Sequence, residues 1–149
     1  MGFSTLKLSI VLQKALKEKA FLKPTPIQEK VIPLVLDHKD VIAQAQTGSG
    51  KSASFVLPLL QLWSENRDNA KKGKIKVLVL TPTRELTLQV AKVFEEFSKF
   101  LEKKPQIVTL IGGKSIGDQL YNIQQGCDVL VATSGRFLDV LKKKQMNLS

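Results

Sequence analysis

Apolar residues recur every three or four positions along two segments near the start of the chain. Five residues of the first segment fall on one helical face: Leu8, Val11, Leu12, Ala15 and Leu16. The second segment begins at Pro26 and continues its apolar pattern to Val35, with Pro33 expected to bend it. This periodicity predicts two amphipathic helices before residue 40.

Four later runs are apolar at consecutive positions, and they cover residues 41–43, 75–81, 107–111 and 129–133. Strands buried on both faces show this pattern, which is typical of a parallel sheet covered by helices. Helical patterns alternate with these runs, at 51–63, 84–101, 115–123 and from Arg136 onward. The alternation predicts an α/β fold in three layers, a parallel sheet flanked by helices with right-handed crossovers.

The helical pattern over 84–101 keeps its apolar residues at helical spacing, namely Leu86, Val90, Val93, Phe94, Phe97 and Leu101. Core packing is the simplest role for such a stripe, so we expect this face to be buried. The segment 66–74 is polar and basic, and it predicts a surface loop.

The composition suits one soluble domain, because 43% of the 149 residues are hydrophobic and the chain can bury a substantial core. No apolar run approaches the roughly 18 residues of a membrane span, so no membrane partner is expected. Lys7 and Lys14 interrupt the apolar residues at the N-terminus, unlike a signal peptide. Cys127 is the only cysteine, which favours the reducing cytoplasm and an inert core thiol.

The net charge of +10 comes from 23 basic and 13 acidic residues and favours a polyanionic partner such as nucleic acid. Part of the excess lies in lysine-rich runs at 71–74, 103–104 and 142–144. Such runs are also typical of solvated loops and helix ends, so the charge alone does not establish nucleic-acid binding.

A glycine-rich turn follows the run 41–43, and its residues are Ala45, Gln46, Thr47, Gly48, Ser49, Gly50, Lys51 and Ser52. A strand, such a turn and a helix starting in Lys-Ser form a phosphate cradle, in which backbone N–H groups and the helix N-terminus face the anion. The lysine reaches the outer phosphates and the serine hydroxyl is placed to hold Mg²⁺. The strict pattern has glycine where Ala45 stands, and an ordinary structural turn is the alternative. The sequence predicts a nucleoside triphosphate site.

Five ordered motifs resemble those of bacterial-type DEAD-box ATP-dependent RNA helicases. They are 21–28 with the isolated Phe3 upstream, the phosphate loop, 82–86 with Gln89, the pair Gly112-Gly113, and 133–136. They match that family's Q motif, motif I, motif Ia, double glycine and motif Ib. The resemblance spans nearly the whole chain, and it implies a RecA-like fold, ATP and Mg²⁺ as ligands, and RNA as partner.

The resemblance assigns the base and phosphates of ATP to the Q motif and the phosphate loop. In the Q motif it places Phe3, Phe21, Lys23, Thr25 and Gln28. A glutamine amide presents an acceptor and a donor side by side, complementary to the amino group and ring nitrogen of adenine. The same residues, from Thr25 to Gln28, also form a helix capping box, so a purely structural role is the alternative.

The resemblance assigns the RNA sugar-phosphate backbone to eight residues: Pro82, Thr83, Arg84, Gly112, Gly113, Thr133, Gly135 and Arg136. Arg84 and Arg136 stand in first helical turns, where a cation opposes the helix dipole, so an anionic ligand is expected nearby. Hydroxyls, amides and arginines suit phosphate contacts, which predicts sequence-independent binding of single-stranded RNA. Thr83 and Thr133 are also candidate N-caps, and Gly112-Gly113 is a candidate simple turn.

The resemblance also shows what these 149 residues lack, namely the family's acidic Asp-Glu-Ala-Asp box and its second domain. The chain is expected to be a partial N-terminal ATP-binding domain, with a Q-motif region at 1–30 and a RecA-like core at 40–149, incomplete on the C-terminal side. The resemblance makes Lys51 and Ser52 catalytic residues of the parent enzyme, and this chain is expected to bind ATP through them without hydrolysing it. The alternatives are a non-catalytic nucleotide- or RNA-binding module and an ATPase unrelated to RNA.

Three smaller departures from the family pattern accompany these motifs. Ser52 replaces a more usual threonine and keeps the metal-binding hydroxyl. Thr87 replaces alanine, which we expect to be a surface change. Ser134 replaces proline, which predicts a less rigid turn before Arg136.

Overall fold

The computed structural model describes residues 2–46, 48–66 and 74–143. In chain order its elements are a 3-10 helix at Phe3–Leu6, α1 Ile10–Glu18, α2 Pro26–Leu36, α3 Lys51–Asn66, β1 Val77–Thr81, α4 Arg84–Phe97, β2 Ile107–Leu110, α5 Ile116–Gln125, β3 Val129–Thr133 and α6 Ser134–Lys142. Thr47 and most of the predicted loop 66–74 lie outside the described residues. Within the described ranges, no helix has the length and apolar character needed to cross a membrane.

The chain divides into two compact units. One lies within Met1–Asp68 and Val93–Lys104, and the other within Asn69–Lys92 and Pro105–Ser149. In the first unit α2 packs on α3, and the fully buried residues of these two helices include Ile32, Val56 and Leu57. The helices predicted from residues 8–16 and from Pro26 are both present.

The second unit contains a parallel sheet in the order β1-β3-β2. The central strand β3 is buried along Val129–Thr133 up to its last residue, because it has a strand on each side. Helix α5 packs on β2 and α6 packs on β3, so the apolar faces of these helices cover two of the three strands. Leu78 and Leu80 of the edge strand β1 stay 37% and 49% exposed, so the expectation of burial on both faces is wrong for β1. Three of the four predicted strands and the α/β class are thereby confirmed.

Cys127 lies at the start of β3 in the core of this unit, with 5% of its surface exposed. Burial, with a smaller effect from the negative charge of Asp128, raises the pKa of its thiol to about 12. The thiol therefore stays protonated at neutral pH, in agreement with the predicted core role.

The strand predicted at 41–43 is absent, and that prediction is wrong. A strand is held by ladder hydrogen bonds to a neighbour, and the ladders among the described residues join only β1 to β3 and β3 to β2. Ile42 is fully exposed. The segment instead forms one wall of a cavity of about 490 Å³ whose other wall is α2.

Helix α4 is shorter than predicted, and its buried face is turned slightly from the predicted stripe. Val90, Phe94 and Phe97 are buried, but Leu86 is 40% exposed and Thr87 is fully buried in its place. Residue 87 lies three positions before Val90 and seven before Phe94, which puts it on the same helical face as both. The expectations for Leu86 and for Thr87 as a surface residue are therefore wrong.

Helices α1 and α2 both end in a Schellman motif whose left-handed position lacks glycine. At the end of α1, Ala20 has φ of 60°, the Phe21 N–H donates to Leu16 O at 2.9 Å, and the Ala20 N–H donates to Lys17 O at 3.0 Å. His38, with φ of 58°, occupies the same position after α2 and is exposed, as expected for a turn residue. A side chain is strained in this conformation, and glycine is not.

Replacing Ala20 by glycine is therefore expected to stabilise the chain. The left-handed conformation costs a non-glycine residue about 1–2 kcal/mol, and the greater freedom of unfolded glycine offsets part of this, which leaves a gain of about 1 kcal/mol. Urea denaturation would measure the free energy of unfolding. Ala15→Gly, in the interior of α1, is the opposite control and is expected to destabilise. A loss of stability in Ala20→Gly would contradict the prediction.

Candidate functional site

The glycine-rich turn leads directly into α3 in the first unit. Gly48 and Gly50 have φ of 82° and 83°, and the Ser49 N–H donates to Gln46 O at 3.2 Å. Helix α3 begins at Lys51, whose side chain is exposed, and Ser52 is half-buried in its first turn. The structure thus has a glycine turn at a helix N-terminus followed by an exposed lysine, which are the features of a phosphate cradle.

Gln28 joins the start of α2 to this turn. Its side chain is only 2% exposed, its Oε1 accepts from the Thr25 N–H at 2.9 Å, and its Nε2 donates to Gly50 O at 3.2 Å. The first contact is the glutamine half of the capping box, so the structural alternative is confirmed. The amide keeps one unused hydrogen and one unused lone pair, and reading adenine stays a prediction.

The buried Ser49 hydroxyl beside these contacts has no hydrogen-bond partner among the described residues, and Thr25 Oγ1 faces the Gln28 backbone N–H as the other half of the capping box. A methyl group built on Gly50 would lie 3.2 Å from Thr25 Oγ1 and would collide with Gln28 Nε2. Buried polar atoms are normally satisfied, so an orphaned hydroxyl at a glycine turn indicates a place where a polar ligand fits. A phosphate or sugar oxygen is one group that such a place accepts, and nucleotide binding stays a prediction.

The two glycines of the turn give a matched stability test. Their φ values are nearly equal, but a methyl group on Gly48 meets nothing within 4 Å, whereas one on Gly50 meets the buried Gln28 amide. Gly48→Ala is expected to cost about 1 kcal/mol of backbone strain, and Gly50→Ala at least about 1 kcal/mol more from overpacking. Denaturant titration of both variants measures the difference, and equal losses would contradict it.

The aromatic residues assigned to the base differ in exposure. Phe3 is buried, with 6% of its surface exposed, and packs within the first unit, whereas Phe21 is 36% exposed. The Phe21 ring contacts that of Phe97 with centroids 5.9 Å apart, and Lys19, paired with Glu96, lies over both rings. The Phe21 ring therefore packs against Phe97 and Lys19, and part of the residue stays exposed to solvent. Base contact by Phe3, Phe21 and the exposed Lys23 stays a prediction.

The arginines and the double glycine assigned to RNA come together in the second unit. Arg84 Nη1 donates to Gly112 O at 3.4 Å, and a methyl group on Gly113 would collide with Arg84. A methyl group on Gly112 would lie 3.8 Å from Arg136 Nη2. Residues 28 and 52 positions apart in the sequence thus form one cluster, in which Arg84 is exposed and Arg136 half-buried.

The threonines of this region have different roles. Thr83 Oγ1 accepts from the Leu86 N–H at 3.1 Å and caps α4, so the capping alternative is confirmed for Thr83. Thr133 is the N-cap residue of α6, but its side chain makes no capping hydrogen bond. Pro82 and Gly135 are exposed at the same helix starts. The Thr133 hydroxyl is thus the one of the two that capping leaves available.

Sequence reasoning missed two residues that organise this cluster. Thr87 Oγ1 donates to Thr83 O at 3.2 Å and pairs with Thr81 Oγ1 at 2.6 Å, which ties the end of β1 to α4. Gln119 binds both backbone groups of Ile111, immediately before the double glycine. Each could have been noticed in the sequence, because each is a polar residue that helical spacing places on the apolar face of its helix.

Comparison with known proteins shows which family this chain resembles. The model of the DEAD/DEAH box helicase family matches residues 25–149. ATP-dependent RNA helicase DBP10 of Ajellomyces capsulatus is 43% identical over 148 residues, covering 99% of this chain and 16% of that protein. ATP-dependent RNA helicase DeaD of Buchnera aphidicola subsp. Schizaphis graminum is 44% identical over 147 residues, covering 99% and 24%.

A solved structure also matches, that of a DEAD box protein from the hyperthermophile Methanococcus jannaschii. It has a TM-score of 0.88 and 42% identity, covering 99% of this chain and 39% of that one. The match confirms the predicted fold class, a RecA-like parallel sheet flanked by helices. The chain spans much less than half the length of these relatives. The sequence identities to the fungal and the bacterial helicase are nearly equal, so they do not support the predicted bacterial type over a fungal one.

Proposed function

The chain belongs to the DEAD/DEAH box helicase family, and we propose from this membership that it is the ATP- and RNA-binding part of an ATP-dependent RNA helicase. The observation that carries the proposal is the pairing of distant motifs. Gln28 reaches the phosphate turn at Gly50, and Arg84 reaches the double glycine at Gly112. Residues far apart in sequence meet as two ligand sites require.

ATP is the nucleotide that the first cluster fits. The amides of the glycine turn and the N-terminus of α3 attract the phosphates, and the exposed Lys51 ammonium extends toward the outer ones. The free hydrogen and lone pair of the Gln28 amide complement adenine, with Phe21 packing on the base. The unsatisfied hydroxyl of Ser49 provides a further polar contact.

Mg²⁺ accompanies ATP in this proposal, and Ser52 is the residue of the turn that would hold it. Bound there with ATP, Mg²⁺ would supply positive charge that neutralises the phosphates. Ser52 lies one residue into α3, next to Lys51, so its hydroxyl and the ammonium serve the same phosphates.

Single-stranded RNA is the partner that the second cluster fits. Arg84 and Arg136 supply positive charge, and the Gly112-Gly113 turn and the Thr133 hydroxyl supply polar groups beside them. These groups recognise phosphate and sugar instead of base edges, so binding is independent of sequence. The net charge of +10 adds long-range attraction to any nucleic acid.

Hydrolysis requires a second acidic site that polarises water and holds the metal ion, and residues 1–149 contain no such box after motif Ib. A polypeptide of these residues is therefore expected to bind ATP without turning it over. We assign residues 1–30 to base recognition and 40–149 to the core of an N-terminal ATP-binding domain, in the cytoplasm. A non-catalytic nucleotide- or RNA-binding module is the second candidate function.

The Gln28→Glu variant tests the adenine assignment. The carboxylate keeps an acceptor for the Thr25 N–H, so the cap survives, but it cannot donate to an adenine nitrogen and instead accepts from guanine N–H groups. The variant also loses the Nε2 donor to Gly50 O, which affects both nucleotides, so the informative quantity is the ratio of their affinities. Loss of the hydrogen bond to adenine is expected to lower the preference for ATP over GTP by up to about tenfold or to reverse it. Calorimetric titration of both nucleotides measures this.

The exposed Gln124 on α5 supplies the control, since Gln124→Glu makes the same change in the other unit, outside the residues assigned to the nucleotide. It is expected to leave the ratio of ATP to GTP affinity unchanged. If wild-type protein binds neither ATP nor RNA, the proposed function is wrong. If it binds ATP but Gln28→Glu keeps the wild-type preference, only the adenine assignment fails.

A further inference from the structure

Gln119 lies on α5 with only 6% of its surface exposed, and its amide is fully directed at one residue. Its Oε1 accepts from the Ile111 N–H at 3.0 Å, and its Nε2 donates to Ile111 O at 2.9 Å. The side chain thus acts as a neighbouring strand would, and it satisfies both backbone groups of a residue that lies just beyond β2.

Ile111 is followed at once by the double glycine. Its own side chain is 3% exposed, so its backbone groups would be buried and unpaired without Gln119. Gly112 then supplies the carbonyl that accepts from Arg84, and Gly113 turns the chain with φ of 81°. The position of the turn therefore depends on where Gln119 holds the preceding residue.

Helix α5 itself is fixed at its N-terminus, which makes it a firm support. Ser115 caps the helix by accepting from the Asp118 N–H at 3.4 Å, and α5 packs on β2 through Ile116, Leu120 and Ile123. An amide anchored on a packed helix can hold a loop at a set distance from the sheet.

We propose that Gln119 is a positioning residue for RNA binding, which holds the Gly112-Gly113 turn where Arg84 and Arg136 meet it. The inference rests on the proposed RNA-binding function and adds the residue that sets its geometry. Gln119 touches no phosphate in this assignment, so it acts on RNA only through the backbone of Ile111.

Fluorescence anisotropy with a labelled ten-nucleotide oligouridylate tests the proposal on the 149-residue chain. Gln119→Met keeps the side-chain length and removes both hydrogen bonds, and it is expected to weaken RNA binding about tenfold. The slope of log affinity against log salt is expected to stay at its wild-type value, because no phosphate contact is lost. Binding of a fluorescent ATP analogue, which uses the other unit, is expected to stay within about twofold of wild type.

Gln124→Met on the exposed side of α5 is the matched control and is expected to keep wild-type RNA affinity. Gln119→Glu, which keeps the acceptor for the Ile111 N–H and loses the donor, decides the matter if Gln119→Met does not fold. Hydrogen exchange at the Ile111 amide is expected to quicken in Gln119→Met. A folded Gln119 variant with wild-type RNA affinity overturns the inference. Failure of wild-type protein to bind RNA overturns the proposed function instead.

Discussion

Lys51→Ala is expected to weaken ATP binding strongly while leaving the fold intact. The lysine is the first residue of α3 and its side chain is exposed, so its removal creates no cavity and no unpaired buried group. A charge-assisted contact to phosphate contributes about 1.5–3 kcal/mol, so the affinity of the 149-residue chain for ATP should fall about 10- to 150-fold. Calorimetry measures the affinity, and thermal unfolding checks the fold.

The same substitution should have a larger effect on turnover in a polypeptide that continues through the acidic box. There the lysine also stabilises charge that develops during phosphoryl transfer, and loss of one such group costs about 100-fold or more in rate. Lys39→Ala, at another exposed lysine of the same unit, is the matched control and should keep wild-type values. An unchanged RNA-stimulated ATPase in Lys51→Ala would disprove the phosphate role.

The double variant Arg84→Ala plus Arg136→Ala is expected to lose most of the RNA affinity. The two guanidinium groups flank the double glycine, and each is expected to contact one phosphate. Loss of each charge-assisted contact should weaken binding about tenfold or more, so the double variant should lose about 100-fold. Anisotropy of a labelled single-stranded RNA measures the affinity across a range of salt concentrations.

The salt dependence of RNA affinity distinguishes specific phosphate contacts from non-specific attraction by the net charge. The wild-type slope of log affinity against log salt is expected to be roughly −2, and each lost phosphate contact should reduce its magnitude by about 0.7. Lys142→Ala, at the far end of the helix that carries Arg136, removes an exposed charge outside the cluster and is the control. Equal losses in control and double variant would show that only net charge matters.

The sequence was sufficient for elements defined by neighbouring residues. Three of the four apolar runs became strands, but burial on both faces holds only for the central strand β3. In the edge strand β1, Leu78 and Leu80 are 37% and 49% exposed. The run 41–43 failed because strand formation depends on a partner that no local pattern specifies. The left-handed backbone conformation of Ala20 and His38 could not be predicted either, since glycine is the residue that usually indicates it.

The site shows the same division between local and distant contacts. Motif order indicated which residues to examine, and Thr83 as a cap follows from its position before α4. The contact from Gln28 to Gly50 spans 22 residues and could not be predicted from either motif alone. Gln119 carried no motif, and only the structure shows that its amide completes the backbone of Ile111.

The carbonyl of Gly50 is shared between the Gln28 amide and the Ser54 N–H of α3, at 3.2 Å from each donor. In the proposed function, binding of the base by Gln28 and binding of the phosphates by the turn are therefore linked equilibria, and linkage is reciprocal. A phosphate chain that shifts this carbonyl also changes the hydrogen that Gln28 can offer to a base. Discrimination between adenine and guanine should thus be weaker for nucleosides than for triphosphates, because a nucleoside has no phosphates to bind the glycine turn.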